Sequence, residues 1–146
     1  MTSAGARNDH GADAADATEV SVVIPADLDR LALPRSIAAT LAATLDFDID
    51  AVADLRIAVD EMVSTVIQRA RSGSRVTTLF RAHRDCVTVE CSAASDGDDD
   101  VDETSFGWMV LSALGEDVSA RTMDGVADGV PHFSLSMTVR PTRGTQ

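Results

Sequence analysis

Between residues 51 and 71 the apolar side chains fall at Val52, Leu55, Val59, Met62, Val63, Val66 and Ala70. That spacing is the period of a helix with one buried stripe. Asp50 stands ahead of the run as an N-cap, and Ser72-Gly73-Ser74 closes it. Asp54, Ala58, Glu61, Thr65 and Gln68 lie three or four apart on a different face. An earlier helical pattern runs to about residue 45, with Leu28, Leu31, Ile37, Ala38, Leu41 and Leu45 as its apolar members. Asp27 is its N-cap. Pro34 marks either an irregular first turn or a later start. A third, short helix is expected over residues 106–114, capped by Ser105 or Thr104.

Elsewhere the period drops to two or the run becomes β-branched. Residues 19–24 read as a strand ending at Pro25, of edge type. Residues 75–82 and 86–94 read as a hairpin around His83-Arg84-Asp85. Two last strands, about 118–123 and 132–140, flank a loop with Gly125 and Gly129. The order β-α-α-β-β-α-β-β predicts an α/β (α+β) two-layer sandwich: a mixed, mostly antiparallel sheet with helices on one face. A chain of 146 residues fits one domain, expected over 19–141. Residues 1–18 hold almost no branched aliphatics and are expected to form a disordered acidic tail, with a second tail at 142–146.

Composition narrows the classes. Hydrophobic residues make up 45%, but with four Phe, one Trp and no Tyr the core must be filled mostly by Ala and Val. A net charge of −12 argues against a nucleic-acid partner, because phosphates are repelled. It fits either simple solubility or attraction to a basic protein. Cys86 and Cys91 are five apart in one expected strand and so face opposite ways, which argues against a bridge. They read as buried thiols in a reducing cytoplasm. No CxxC pair occurs, and His10, His83 and His132 are scattered, so no zinc pattern is present. There is no apolar run of membrane-spanning length and no apolar signal-peptide core. The expectation is a cytoplasmic protein with no membrane partner.

Two stretches carry candidate chemistry. Leu55-Arg56-Ile57-Ala58-Val59-Asp60-Glu61 resembles the first nucleotide box of the GHKL-type ATPase domain. Gly107-Trp108-Met109-Val110-Leu111-Ser112-Ala113-Leu114-Gly115-Glu116-Asp117-Val118 resembles that domain's last glycine box with the helix and strand behind it. The nearest branch is the anti-sigma factor and serine-protein kinase group, of the actinobacterial anti-sigma-F type. The resemblance covers about residues 19–140, and element order and spacing carry much of it. It implies the GHKL (Bergerat) fold, an ATP and Mg²⁺ pocket, and action as a homodimer.

Carried over residue by residue, the resemblance makes Glu61 the general base of an active kinase. Four residues on, where the family has a magnesium-binding Asn, stands Thr65. In the second box, Ser95 replaces the adenine-reading Asp if Gly97 is the first glycine, with Asp99 in place of the second. If Asp96 is that Asp, then Asp98 stands where a glycine belongs. In the third box Ser105 and Gly107 fill two glycine positions. The implied nucleotide contacts are therefore Glu61, Thr65, Ser95, Gly97 and Gly107, in a degenerate ATP pocket. Glu61 also fits a solvated helix carboxylate, and Gly107 a packing glycine. Asp96, Asp98, Asp99, Asp100, Asp102 and Glu103 lie where the family folds its lid, with no Lys or Arg between residues 95 and 120. This run fails the EF-hand pattern, because Val101 and Gly107 fall at its sixth and twelfth positions counted from Asp96, and Glu103 and Met109 from Asp98. A solvated loop is the simpler reading.

In the family an Arg on the first helix contacts partner proteins, and Arg35 stands at the matching separation from Glu61. Three functions follow for comparison. The first is an anti-sigma factor that sequesters an alternative sigma factor and yields it to an anti-anti-sigma (STAS-type) protein. The second is an active ATP-dependent kinase that phosphorylates that same partner on serine. The third is an unrelated acidic α/β protein with another ligand. Sequestration needs only the scaffold and a surface, so it ranks first, with kinase activity below it.

Overall fold

Alternation of buried and exposed residues along the chain sets the sheet. The computed structural model describes residues 17–97, 101–124 and 129–141. Its elements are β1 (Thr18–Pro25), a short 3-10 turn (Leu28–Arg30), α1 (Ala32–Thr44), α2 (Ile49–Arg69), β2 (Arg75–Ala82), β3 (Val87–Ala94), α3 (Phe106–Leu114), β4 (Glu116–Met123) and β5 (His132–Val139). The strands lie in the order β1-β2-β3-β5-β4. Every neighbouring pair is antiparallel, where a mixed sheet was expected. The cause is the helical hairpin. Two helices between β1 and β2 return the chain to the end it left, so β2 runs opposite to β1. After α3, β5 comes between β3 and β4 and keeps those two same-sense strands apart.

Of the expected tails at 1–18 and 142–146, residues 1–16 and 142–146 lie outside the described residues, but Thr18 already belongs to β1. Asp27 caps the 3-10 turn by accepting from Asp29 N at 2.9 Å, and α1 starts later, at Ala32. Pro34 falls in the first turn of α1, where a missing N–H costs nothing. Asp48, not Asp50, caps α2: its Oδ1 accepts from Ala51 N at 2.8 Å. Asp50 sits in the first turn instead, where its charge suits the helix dipole.

One face of α2 supplies much of the core. Leu55, Ala58, Val59, Met62, Val63 and Val66 are fully buried, each of the larger ones worth about 1.5–3 kcal/mol of burial. Ala58 belongs to this face and not to the polar stripe. Opposite it stand Val76, Phe80, Val89, Cys91, Phe133, Leu135 and Met137, aligned by the pairs Phe80↔Val89, Val89↔Met137 and Cys91↔Leu135. Thr78 and Cys91 are a buried cross-strand pair, Oγ1 to Sγ 3.4 Å. Cys86 and Cys91 are both free and buried. The other face of the sheet carries Thr77, Thr88, Ser92, Ser134, Ser136 and Thr138, all only partly exposed. At the β4 edge the pairing slips between Glu116 and Ser119, and Asp117 takes φ 54°.

Candidate functional site

Glu61 and Thr65 are one helical turn apart on α2, and Thr65 Oγ1 donates to Glu61 Oε2 across a long 3.5 Å. Gln68 and Arg69 continue this side of the helix. Facing them is the start of α3. Asp102 accepts from Thr104 Oγ1 and Thr104 N, at 2.5 and 2.9 Å. Those two bonds, the hydroxyl's first, hold its carboxyl below the usual range. Ser105 then caps α3, its Oγ accepting from Trp108 N at 3.2 Å. Between the two helices lies a cleft of about 250 Å³ lined by Glu61, Thr65, Gln68, Arg69, Ser105 and Gly107, with Trp108, Leu111 and Leu135 as its apolar wall.

A second recess, of about 380 Å³, shares Gln68 and Arg69 and extends to Ser95, Gly97, Thr122 and Phe133. The end of α2 is tied to the end of β3 there. Arg71 N donates to Ala94 O at 2.9 Å, and Ala70 bridges to Ser95. Ser95 N in turn donates to Pro131 O at 2.9 Å. So Glu61, Thr65 and Gly107 line one recess, Ser95 and Gly97 the next, and Gln68 and Arg69 border both. Arg35 is elsewhere. Its Nε donates to Asp60 Oδ1 at 2.8 Å, so the proposed partner contact is already engaged within the chain.

The two recesses differ in what they could hold. Ser95 is 5% exposed, and among the described residues its Oγ has no hydrogen-bond partner. A buried hydroxyl left unpaired costs roughly 1–3 kcal/mol, so this end suits a small polar group. Gly97 takes φ 90°, and a Cβ there would stand 2.8 Å from Pro131 Cγ; the glycine is required by the turn itself. The α3 end is different. A methyl group at Gly107 would collide with Glu61 Oε2 and sit 3.1 Å from Glu61 Cδ. The space at the head of α3, where free N–H groups favour an anion, therefore already holds a carboxylate. Trp108 N–H is committed to Ser105, and the Thr65 hydroxyl to Glu61. In this arrangement the Glu61 carboxylate, the far end of a flexible side chain, faces the head of α3.

Arg69 escaped the sequence reading. Its guanidinium lies 4.7 Å from the centroid of the Phe133 ring, a cation–π contact at the junction of the two recesses. Its place, four residues after Thr65 and eight after Glu61, was legible as the same helix side. Phe133 and Thr122 come from strands far away in sequence and left no such signal.

No family model matches the sequence. Two curated proteins of Mycobacterium tuberculosis, from strains CDC 1551 / Oshkosh and ATCC 25618 / H37Rv, are each 41% identical to it over 125 residues. Each is described as anti-sigma-F factor RsbW, and the match covers 83% of this chain and 73% of the relative. Among solved structures, the RsbU and RsbW domains of Rv1364c from Mycobacterium tuberculosis superpose with a TM-score of 0.58 at 19% identity. That match takes in 86% of this chain and 33% of the other, so the chain spans about a third of the solved protein. At such identity the likeness bears on the fold alone.

Proposed function

Because the chain belongs to the family of RsbW anti-sigma-F factors, we propose that it sequesters an alternative sigma factor and yields it to an anti-anti-sigma protein. The observation that carries this is the 41% identity over most of the chain. The charge agrees with it. Sigma factors present basic surfaces to DNA, and a −12 protein speeds encounter with such a surface at low salt. Holding a partner needs the scaffold and an outer surface, and neither depends on a phosphate cradle.

The nucleotide pocket is a remnant on this reading. Glu61 no longer serves as a base, and Thr65, Ser95, Gly97 and Gly107 keep their places without a common ligand. ATP and Mg²⁺ are dispensable for holding sigma. The second reading, an ATP-dependent protein-serine kinase acting on the anti-anti-sigma partner, draws support from Glu61 and from the unpaired Ser95 hydroxyl. A thermal-shift titration with ATP or ADP, with and without magnesium, separates the two. No shift is expected, and a magnesium-dependent shift would favour the kinase. Sequestration itself is tested by capture on the immobilised chain, where a sigma factor should be retained. Retention of none from extracts of stressed and unstressed cells would end this reading.

Homodimerisation is part of the proposal. We assign the contact to the sheet face that carries Thr77, Thr88, Ser92, Ser134, Ser136 and Thr138, meeting a copy of itself across a two-fold axis. Light scattering would read the dimer mass. The site of action is the cytoplasm, where RNA polymerase works. Among the described residues no helix is long and apolar enough to cross a membrane.

A further inference from the structure

The solvent side of a surface helix is ordinarily polar. On α2 that side carries Ile49, Ala53 and Ile57, spaced i, i+4, i+8. Ile49 is 86% exposed and Ile57 is 50% exposed. The three form a ridge about 12 Å long. Beside it, between the end of α1 and the start of α2, is a recess of about 480 Å³. Ala43, Phe47, Val52 and Ala53 form its apolar walls, with Asp46 and Arg56 at the rim. Nothing in the core requires the ridge, and neither Ile49 nor Ile57 touches the Glu61 cleft. The Arg35–Asp60 pair lies one turn beyond Ile57.

The charges around this surface state what it prefers. Asp46 stands with Arg56 on the rim of the recess, Asp48 is engaged as the α2 cap, and Asp50 and Asp54 follow Ile49 and Ala53 in sequence along the ridge. A second copy would meet this patch with the same excess of negative charge on its own, since a two-fold contact joins identical patches. A basic segment would be attracted.

We propose that the Ile49–Ile57 ridge and its recess are a docking surface for a basic amphipathic helix of the bound sigma factor. An apolar side chain of that helix enters the recess, and its cations meet Asp46, Asp50 and Asp54. The proposal rests on the sequestration reading and adds the place and chemistry of the contact. Helix-in-groove recognition works in this way, through apolar anchors one turn apart.

The probe is the sigma factor captured by the unaltered full-length chain, identified by mass spectrometry, purified, and titrated against variants. Ile49→Ser with Ile57→Ser should raise Kd by about ten- to a hundredfold, the usual effect of losing central apolar anchors. Both side chains are exposed, so Tm should stay within about 2 °C, the range left by small surface changes. Asp46→Asn with Asp50→Asn should slow association and flatten its salt dependence. Phe106→Ser, at a 79% exposed residue on α3, should leave Kd unchanged. An unchanged Kd in the double Ile variant overturns the proposal while leaving sequestration intact. An equal loss in Phe106→Ser overturns it as well, since any exposed apolar residue would then do. Loss of self-association with sigma binding unaltered assigns the ridge to a second copy and overturns it too. Retention of no sigma factor overturns this proposal together with the reading beneath it.

Discussion

Arg35 and Asp60 hold each other at 2.8 Å with both side chains more than a third exposed. Such a pair contributes about 0.5 kcal/mol or less to stability. Asp60→Ala should therefore barely move a urea midpoint, while freeing the Arg35 fork for a partner carboxylate. Sigma binding should hold or strengthen. Arg35→Glu sets two carboxylates together and should weaken sigma binding about tenfold, the cost of losing one interface Arg. Titration calorimetry on both variants checks the contrast, and equal losses would mean that the pair matters only as a unit. The candidate site was legible in part at this scale. Glu61, Thr65 and Gly107 line one recess beside α2 and Ser95 and Gly97 the next; helical spacing alone linked only Glu61 with Thr65, and the family resemblance supplied the others. What spacing could not give is the direction of a flexible carboxylate. Glu61 points at Gly107 across the cleft, a contact between residues 46 apart in the sequence.

Element boundaries were set by packing and not by local preference. Asp46-Phe47-Asp48-Ile49-Asp50 offers three carboxylates as caps, and the choice falls to Phe47. It is 7% exposed, its N donates to Ala42 O at 3.2 Å, and it lines the same recess as Val52. An apolar residue before the cap packed near one four positions into the helix is a hydrophobic staple. Burial of Phe47 thus makes Asp48 the cap. Asp48→Ala should cost about 1 kcal/mol in thermal or urea unfolding, and Asp50→Ala clearly less. Gly115, between α3 and β4, is a second constraint that sequence did not announce. A Cβ there would stand 2.6 Å from Thr138 O, a backbone atom that cannot swing aside. Gly115→Ala should destabilise by about 1–3 kcal/mol, the usual cost of overpacking. An unchanged melting curve would show that β4 can slide. The helices and the β2–β3 hairpin, by contrast, were readable because period and turn residues agreed over long runs. The antiparallel sense of the whole sheet followed only once the helical hairpin was seen to return the chain to its starting end.

At the scale of the molecule, the core answers to pH through a thiol. Burial pushes the Cys91 thiol up from 9.0 to about 12, with the Thr78 contact acting weakly the other way. The folded state keeps a proton that the unfolded state gives up above pH 9. Stability is then complete below that pH and declines as pH rises from 9 towards 12. Melting temperatures measured from pH 7 to 10.5 should fall at the alkaline end, and Cys91→Ala should flatten that fall. Thiol reagents should label Cys91 only on global unfolding. Assembly is constrained at the same scale. The sheet ends in β1, which closes on Pro25, and in β4, which is bulged and carries Glu116, Asp117 and Arg121. A kinked, charged strand is a poor template for a neighbouring backbone. The bulge at Glu116–Ser119 therefore does more than bend one strand. It discourages open-ended stacking of chains into fibrils, because the edge strand cannot offer a neighbour a straight run of free backbone.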